Sequence, residues 1–274
     1  MLSVIIPASN EESYIGPCLT ALFASSRVAD GAEVIVVANG CRDRTAEVAR
    51  GMAARAAAAG WGFRVIERAE GGKPAALDAG DAAALGDLRA YLDADVIVSP
   101  PVMAQLAEVL SGPEPRYASG TAVIPPARSR VTQAYARFWQ SLPFAQSVAP
   151  GYGLFAVNAA GRARWAQFPA IISDDTFVRL QFLPGERVQV AASYRWPMIE
   201  GFAALVRVRR RQDAGVAEIA ARWPELMARE AKAPLGLGGL LARALREPLG
   251  FAVYAAVSLA VRAKRGSGAW VRGR

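Results

Sequence analysis

Polar and charged side chains recur where short apolar runs of this sequence end. Residues 10–12 (Asn-Glu-Glu) follow the first run and residues 39–43 (Asn-Gly-Cys-Arg-Asp) the second. Residues 71–73 (Gly-Gly-Lys) follow a third run and residues 93–95 (Asp-Ala-Asp) a fourth. Each motif alone also fits a helix cap, a turn or a loop. If the runs are parallel strands of one sheet, all four motifs meet in one crevice at its carboxyl edge.

Asp93 and Asp95 are the pair with the clearest chemistry. Two carboxylates this close at a strand end repel each other unless a cation neutralises them. A hard divalent ion such as Mg²⁺ or Mn²⁺ prefers carboxylate and phosphate oxygens, so it would bridge the pair to a diphosphate. We therefore expect a metal site at Asp93 and Asp95.

The composition restricts which groups can act as acid or base. The chain has no histidine, which excludes Ser-His-Asp and Cys-His catalysis and His-ligated zinc. Its two cysteines, Cys18 and Cys41, are too few for a disulfide framework or a four-cysteine metal site, and suit a reducing compartment. An acid or base must then be a carboxylate, lysine, tyrosine or cysteine.

The elements that carry these motifs alternate between strand and helix. Continuous apolar runs at residues 3–7 and 33–38 are typical of strands buried on both faces of a parallel sheet. Further strands are predicted at residues 63–66 and 90–92, and helices at residues 15–23, 45–59 and 74–85. This order predicts the α/β class, with a doubly wound, mostly parallel, Rossmann-like sheet.

The second part of the chain is less regular. Helices are predicted at residues 102–110 and 131–142, strands at 117–123 and 154–157, and a helix opening after Asp174-Asp175. Carboxylates at a helix N-terminus also interact favourably with the helix dipole, so this pair has a structural explanation as well. We expect one domain over residues 1–212, with halves at 1–98 and 99–212, and a basic helical C-terminal extension over 213–274.

The positive charge is concentrated in the C-terminal region. Residues 201–274 contain 14 Lys and Arg against 5 Asp and Glu, a net charge of +9. No apolar run there reaches the 20 or so residues of a spanning helix. The N-terminus lacks a basic segment before an apolar one, which predicts no signal peptide. We expect a cytoplasmic protein whose extension makes peripheral contact with an anionic membrane, and no nucleic-acid partner.

Taken in order, several segments resemble the family 2 glycosyltransferases, which have the GT-A fold of nucleotide-diphospho-sugar transferases. The resemblance runs from Val4 to about Arg211. The matching segments are residues 4–12 (VIIPASNEE), 37–45 (VANGCRDRT), 72–80 (GKPAALDAG), 93–95 (DAD), 151–158 (GYGLFAVN) and 173–178 (SDDTFV).

This resemblance implies inverting transfer of a sugar from a nucleoside diphosphate sugar to an acceptor hydroxyl. Asp175 matches the family's catalytic base, and Asp174 stands where the family often has a glutamate that orients the acceptor. Asp95 and Asp93 match the motif that holds Mg²⁺ or Mn²⁺. The residues implied to bind the nucleotide sugar are Pro7, Ser9, Asn10, Glu11, Asn39, Lys73, Asp93, Asp95 and Arg210.

Two departures from the family pattern bear on the substrates. The turn after the second strand often has two aspartates, one of which reads the nucleobase, but this chain has Ala38 and Asn39. Uridine is the expected base. The Gln-X-X-Arg-Trp motif of processive synthases is absent, and residues 207–212 read Arg-Val-Arg-Arg-Arg-Gln. We therefore expect single addition, to a saccharide or lipid-linked acceptor, in cell-envelope, exopolysaccharide or lipid glycosylation.

Two other functions fit parts of the sequence. A sugar-phosphate nucleotidyltransferase shares the nucleotide-binding architecture, but such enzymes have a glycine-rich basic segment after the first strand, where residues 8–12 are acidic and lack glycine. A non-catalytic scaffold of the same fold is the second alternative, and the presence of Asp93, Asp95 and Asp175 argues against it.

Overall fold

The computed structural model describes residues 1–231 and 233–263. It divides into two compact units. A sheet unit comprises Met1–Val123, Gly151–Ala170 and Asp174–Trp196, and a helical unit comprises Ile124–Pro150, Ile171–Ser173 and the described residues from Pro197 onward. The boundary expected between residues 212 and 213 falls inside a single helix, Phe202–Arg222.

Four parallel strands form the first half of the sheet unit. β1 (Leu2–Ala8) pairs on one side with β2 (Ala32–Asn39) and on the other with β4 (Leu88–Leu92), and β3 (Gly62–Arg68) pairs with β2. The crossover helices are α1 (Ile15–Phe23), α2 (Thr45–Arg50), α3 (Ala53–Ala58) and α4 (Lys73–Ala83). The expected helix at 45–59 is thus divided at Gly51 and Met52, since glycine weakens a helix.

Helices cover both faces of this parallel half. Leu2, Val4 and Ile6 pack in one core with residues of α1, and the Ile35 and Val37 side chains pack with Ala76 of α4 in another. Strands buried on both faces are what continuous Val and Ile runs favour. The prediction of a doubly wound α/β sheet is confirmed.

The second half makes the sheet mixed. β7 (Leu154–Val157) is antiparallel to β4 and to β6 (Tyr117–Val123), and β8 (Arg187–Arg195) is parallel to β6 and antiparallel to the short β5 (Ile97–Val98). The eight strands lie in the order β3-β2-β1-β4-β7-β6-β8-β5. Helices α5 (Val102–Val109), α7 (Ala159–Arg162) and α8 (Asp174–Arg179) complete this half. Strands β5 and β8 were not predicted from the sequence.

The helical unit consists of α6 (Arg130–Gln140), α9 (Phe202–Arg222), α10 (Pro224–Met227), α11 (Leu237–Arg246) and α12 (Pro248–Ala263). Tyr135, Leu205, Val206 and Val257 form its core. Among the described residues, none of the helices combines the length and the apolar character needed to cross a bilayer.

Candidate active site

A pocket lies in the sheet unit at the carboxyl ends of β1 and β4. Asp93 is the first residue after β4, and β7, antiparallel to β4, brings its starting end to the same edge. The lining residues are Pro7, Lys73, Leu77, Tyr91, Leu92, Asp93, Gly153, Phe155, Asp174 and Asp175. The fold therefore brings together three carboxylates and a lysine that are up to 102 residues apart in sequence.

Lys73 bridges two of these carboxylates. Its Nζ lies 3.0 Å from Oδ1 of Asp93 and 3.1 Å from Oδ2 of Asp174. Lys73 is the first residue of α4, and Gly72 before it has a φ of +147°, a conformation that favours glycine. Pro74, at the start of α4, suits a helix N-terminus because it needs no hydrogen-bonded N–H there. The Gly-Gly-Lys-Pro sequence thus turns the chain so that the lysine points into the pocket.

The charges of this cluster shift each other's ionisation. Burial raises the pKa of the Asp174 carboxyl, Lys73 lowers it, and Asp175 and Asp93 raise it, leaving it above its ordinary value. For Lys73, burial lowers the pKa, but the charges of Asp174, Asp93 and Asp175 outweigh this effect and raise it. The lysine is therefore an ammonium ion at neutral pH.

Asp174 and Asp175 begin α8 and have different surroundings. Asp174 is buried, with 4% of its surface exposed, whereas Asp175 is half-buried. Oδ1 of Asp175 accepts a hydrogen bond of 2.6 Å from the backbone N–H of Thr176. The helix was expected to open after the pair, but it begins at Asp174, so both aspartates lie in its first turn. Of these two carboxylates, Asp175 is the one with access to solvent in the pocket.

Asp93 and Asp95 flank a turn at the end of β4. The backbone N–H of Asp93 donates to the Gly153 carbonyl at 2.9 Å, and the Asp93 carbonyl accepts from the N–H of Val96 at 3.1 Å. Both aspartates are half-buried, and Ala94 between them is buried. Asp95 is not among the residues that line the pocket.

The donor chemistry of this turn fits a hard divalent ion. Within residues 1–231 and 233–263, no three acidic or thiol side chains come together as a metal-binding set. A Mg²⁺ site of the phosphate-transfer type needs only one or two protein carboxylates, since substrate phosphates and water complete it. The Asp93 carboxylate meets this requirement, with 38% of its side chain exposed.

The loops after β1 and β2 are joined by hydrogen bonds. Asn10 has a φ of +53°, and its Oδ1 accepts from the N–H of Arg42 at 2.6 Å. The N–H of Glu11 donates to Oγ1 of Thr45 at 2.7 Å. Ser9, Asn10 and Glu11 therefore belong to a loop pair beside the pocket-lining Pro7, but do not line the pocket themselves.

Asn39 has its amide turned toward the backbone. Its Nδ2 donates to the carbonyls of Ala8 at 3.0 Å and Val37 at 3.2 Å, and its Oδ1 accepts from the N–H of Gly72 at 3.0 Å. The residue is 2% exposed. Asn39 thus joins the ends of β1 and β2 to the residue before Lys73, which is a positioning role that its place in the sequence did not predict.

Arg210 has its contacts in the helical unit. From α9 its guanidinium donates to the carbonyls of Ala260 and Val261 near the end of α12. A positive charge is favourable at a helix C-terminus, where carbonyls lack partners. The contact expected between Arg210 and the nucleotide sugar stays a prediction.

Several pocket residues were not singled out from the sequence. Tyr91 stacks on Phe155 with ring centroids 4.8 Å apart, and its hydroxyl donates to Oδ1 of Asp81 at 2.8 Å. Leu77 lies one turn after Lys73 on α4, and Gly153 faces Asp93. Tyr91 could have been found from its position, because it lies two residues before Asp93 and alternate residues of a strand face the same side.

Comparisons with known proteins agree with this architecture. Residues 3–161 match the family model described as Glycosyl transferase family 2. The "Uncharacterized glycosyltransferase EpsJ" of Bacillus subtilis (strain 168) is 33% identical over 108 residues, which cover 39% of this chain and 30% of EpsJ. The aligned part thus spans less than a third of that relative.

Solved structures show the same fold. The mannosyltransferase PcManGT from Pyrobaculum calidifontis, in complex with GDP-Man and Mn²⁺, superposes with a TM-score of 0.60 at 21% identity, covering 97% of this chain and 76% of that one. Glucosyl-3-phosphoglycerate synthase from Mycobacterium tuberculosis, in complex with Mn²⁺, UDP and glucosyl-3-phosphoglycerate, gives 0.53 at 23% identity, with coverages of 81% and 79%. The family match covers more than half of the sequence, so this chain belongs to glycosyltransferase family 2.

Proposed function

We propose that this chain transfers a sugar, with inversion at the anomeric carbon, from a nucleoside diphosphate sugar to an acceptor hydroxyl. The observation that carries the proposal is the cluster of Lys73, Asp93, Asp174 and Asp175 in one pocket of the sheet unit. A lysine and acidic groups at the carboxyl edge of a doubly wound sheet suit a phosphate-bearing ligand and a proton acceptor.

Asp175 is the base in this proposal. The acceptor oxygen forms a bond to the anomeric carbon while the bond from that carbon to the diphosphate breaks, and the electron pair leaves with the diphosphate. The acceptor proton passes to a carboxylate oxygen of Asp175, which is half-buried and lines the pocket. Asp174 lines the same pocket and would orient the acceptor, as the family resemblance implies, while its ion pair with Lys73 fixes its position.

The leaving diphosphate requires positive charge. Lys73 supplies one such charge, since its ammonium group lies within the pocket. Asp93 and Asp95 would hold Mg²⁺ or Mn²⁺, whose chemistry is to neutralise the diphosphate oxygens. The Mn²⁺ bound in the mannosyltransferase and synthase structures supports this part of the proposal.

The donor is proposed to be a UDP-sugar. Pro7, Ser9, Asn10 and Glu11 form the loop that would bound the nucleotide, whereas Asn39 acts through the backbone. Related folds are complexed with GDP-Man in one case and UDP in another, so the fold itself accommodates either base. The acceptor is proposed to be a saccharide or lipid-linked saccharide of the cell envelope, extended by one sugar at a time.

Release of nucleoside diphosphate from a panel of nucleotide sugars tests this function. Slow transfer to water makes the assay independent of the acceptor. We expect release from one donor with Mn²⁺ or Mg²⁺, loss of release with EDTA, and a decrease of roughly 100-fold in Asp93→Asn and Asp95→Asn.

The matched control is Asp87→Asn. Asp87 is exposed and lies just before β4, whereas Asp93 follows the same strand. Full activity of this variant with loss in the other two would support the assignment. Equal activity in all three variants, or release that EDTA does not alter, would refute the metal-binding role of Asp93 and Asp95.

A further inference from the structure

Helices α11 and α12 of the helical unit expose large apolar side chains. On α11, Leu237, Leu241 and Leu245 are 87%, 62% and 74% exposed. Their spacing of four residues places them along one side of the helix. On α12, Leu249 and Leu259 are 71% and 66% exposed. We call the three leucines of α11 the leucine face.

On α11, three leucines are exposed to solvent while the side chain of Arg243 is turned toward the protein. Arg243 is half-buried, and its Nε donates to the Ser141 carbonyl at 2.7 Å and its Nη1 to the Gly239 carbonyl at 3.1 Å. No residue of α11 is buried. An ordinary surface helix turns its leucines toward the protein and its arginines toward solvent. A contiguous exposed apolar side of this kind is typical of an interaction surface.

The lengths of the two helices indicate how they could meet a lipid bilayer. α11 has 10 residues and α12 has 16, which at 1.5 Å per residue correspond to about 15 and 24 Å. Both are shorter than the hydrocarbon core of about 30 Å. A helix of this type lies in the membrane interface with its apolar side buried to about 5–10 Å.

Charge distinguishes lipid from other occupants. Residues 201–274 carry 14 basic and 5 acidic side chains, a net charge of +9. Two copies meeting through this region would bring two such charges together, which opposes self-association. Nucleic acid would match the charge but would leave the leucines unburied. Anionic lipid provides both a negative surface and an apolar interior.

From these observations we infer that the leucine face inserts into the interface of an anionic membrane. The inference rests on the helical unit alone, so its test does not depend on the sugar transfer proposed for the sheet unit. It names the surface through which the expected peripheral membrane contact would be made.

Vesicle sedimentation with the full chain tests this inference. Vesicles of phosphatidylcholine are compared with vesicles that also contain phosphatidylglycerol. We expect the wild type to sediment with the anionic vesicles, less with the neutral ones, and less again in high salt. The double variant Leu241→Glu/Leu245→Glu should lose at least about tenfold in apparent affinity.

Leu85→Glu is the control. Leu85 is 70% exposed in the sheet unit, between α4 and β4, so this variant introduces one exposed Leu→Glu substitution outside the helical unit. Circular dichroism checks that all variants keep the helical content of the wild type. No sedimentation of the wild type, or equal losses in the double variant and in Leu85→Glu, would overturn the inference. A wild-type dimer that the double variant abolishes would also overturn it, in favour of a second copy.

Discussion

Replacing Lys73 by methionine removes the ammonium that joins Asp93 to Asp174 and keeps a side chain of similar length. The two carboxylates then differ in their access to water, because the Asp93 side chain is 38% exposed and the Asp174 side chain 6%. Water can solvate Asp93 but not Asp174. The loss of stability caused by the substitution therefore arises mainly from the unpaired charge of Asp174.

The size of the effect follows from this difference in burial. Removing one partner of a fully buried ion pair costs about 3–5 kcal/mol. The Lys73 side chain is itself 34% exposed, so we expect a smaller loss of about 2 kcal/mol in the free energy of unfolding. This corresponds to a decrease of about 4–8 °C in Tm for a domain of this size.

The loss of stability in Lys73→Met should depend on pH. The pKa of Asp174 is already raised in the folded protein by burial and by Asp175 and Asp93, against the opposing charge of Lys73. Without the lysine, the pKa of Asp174 must rise further. As the pH falls below neutral, the folded variant therefore binds a proton at Asp174 that the unfolded chain does not bind. Because protonation relieves the unpaired charge, the Tm difference from the wild type should be largest near neutral pH and should narrow toward about pH 5.

Thermal melts followed by circular dichroism in EDTA measure this, at neutral pH and at about pH 5. The control is Lys73→Met/Asp174→Asn, which removes both charges and should recover most of the lost stability. If the double variant is no more stable than Lys73→Met, or if the Tm difference does not change with pH, the ion pair does not stabilise the site as argued.

Two further predictions concern other parts of the sheet unit. Burial, with a smaller contribution from the charge of Asp93, raises the pKa of the Cys18 thiol to about 12. A thiol reagent at neutral pH should therefore modify only the half-buried Cys41 in the native protein, and both cysteines in denaturant. Rapid reaction of two thiols in the native protein, or of the native Cys41→Ser variant, would contradict this prediction. Gly151 and Gly31 both have a φ of +79°, but an added Cβ overlaps the Tyr117 hydroxyl at Gly151 and meets nothing at Gly31. Gly31→Ala should then lower the free energy of unfolding by about 1 kcal/mol and Gly151→Ala by about 3 kcal/mol, as measured in thermal melts. Equal losses in the two variants would exclude the overlap with Tyr117 as a cause of destabilisation.

The first half of the fold could be predicted because its strands are buried on both faces. Continuous Val and Ile runs at β1 and β2 fix both the strands and their parallel pairing. The position of Asp93 at the end of β4 could be predicted because the apolar run of that strand stops at Leu92. By contrast, β8 is buried at alternate positions, and its parallel partner β6 lies about 70 residues earlier in the chain. The alternation of Val190, Ala192 and Tyr194 with less buried residues is the period-two pattern of a half-buried strand.

The site itself was predictable in its residue types but not in its contacts. Lys73, Asp93, Asp174 and Asp175 were expected from strand ends and from the family resemblance, and the structure brings them into one pocket. The bridge from Lys73 to both Asp93 and Asp174 depends on side-chain reach, which sequence spacing does not encode. The same holds for Asn39, whose three backbone hydrogen bonds are set by how β1, β2 and the Gly72 loop meet.

The most direct test of the central claim compares the turnover of Asp175→Asn with that of Asp87→Asn, using the donor found in the panel. The substitution at Asp175 keeps the size of the side chain but removes its ability to take a proton, and general-base catalysis contributes about 10²–10⁴-fold. We predict that Asp175→Asn loses activity in this range with nucleotide binding and Tm retained, whereas Asp87→Asn keeps wild-type turnover. Undiminished turnover of Asp175→Asn would contradict the assignment of this pocket as the active site.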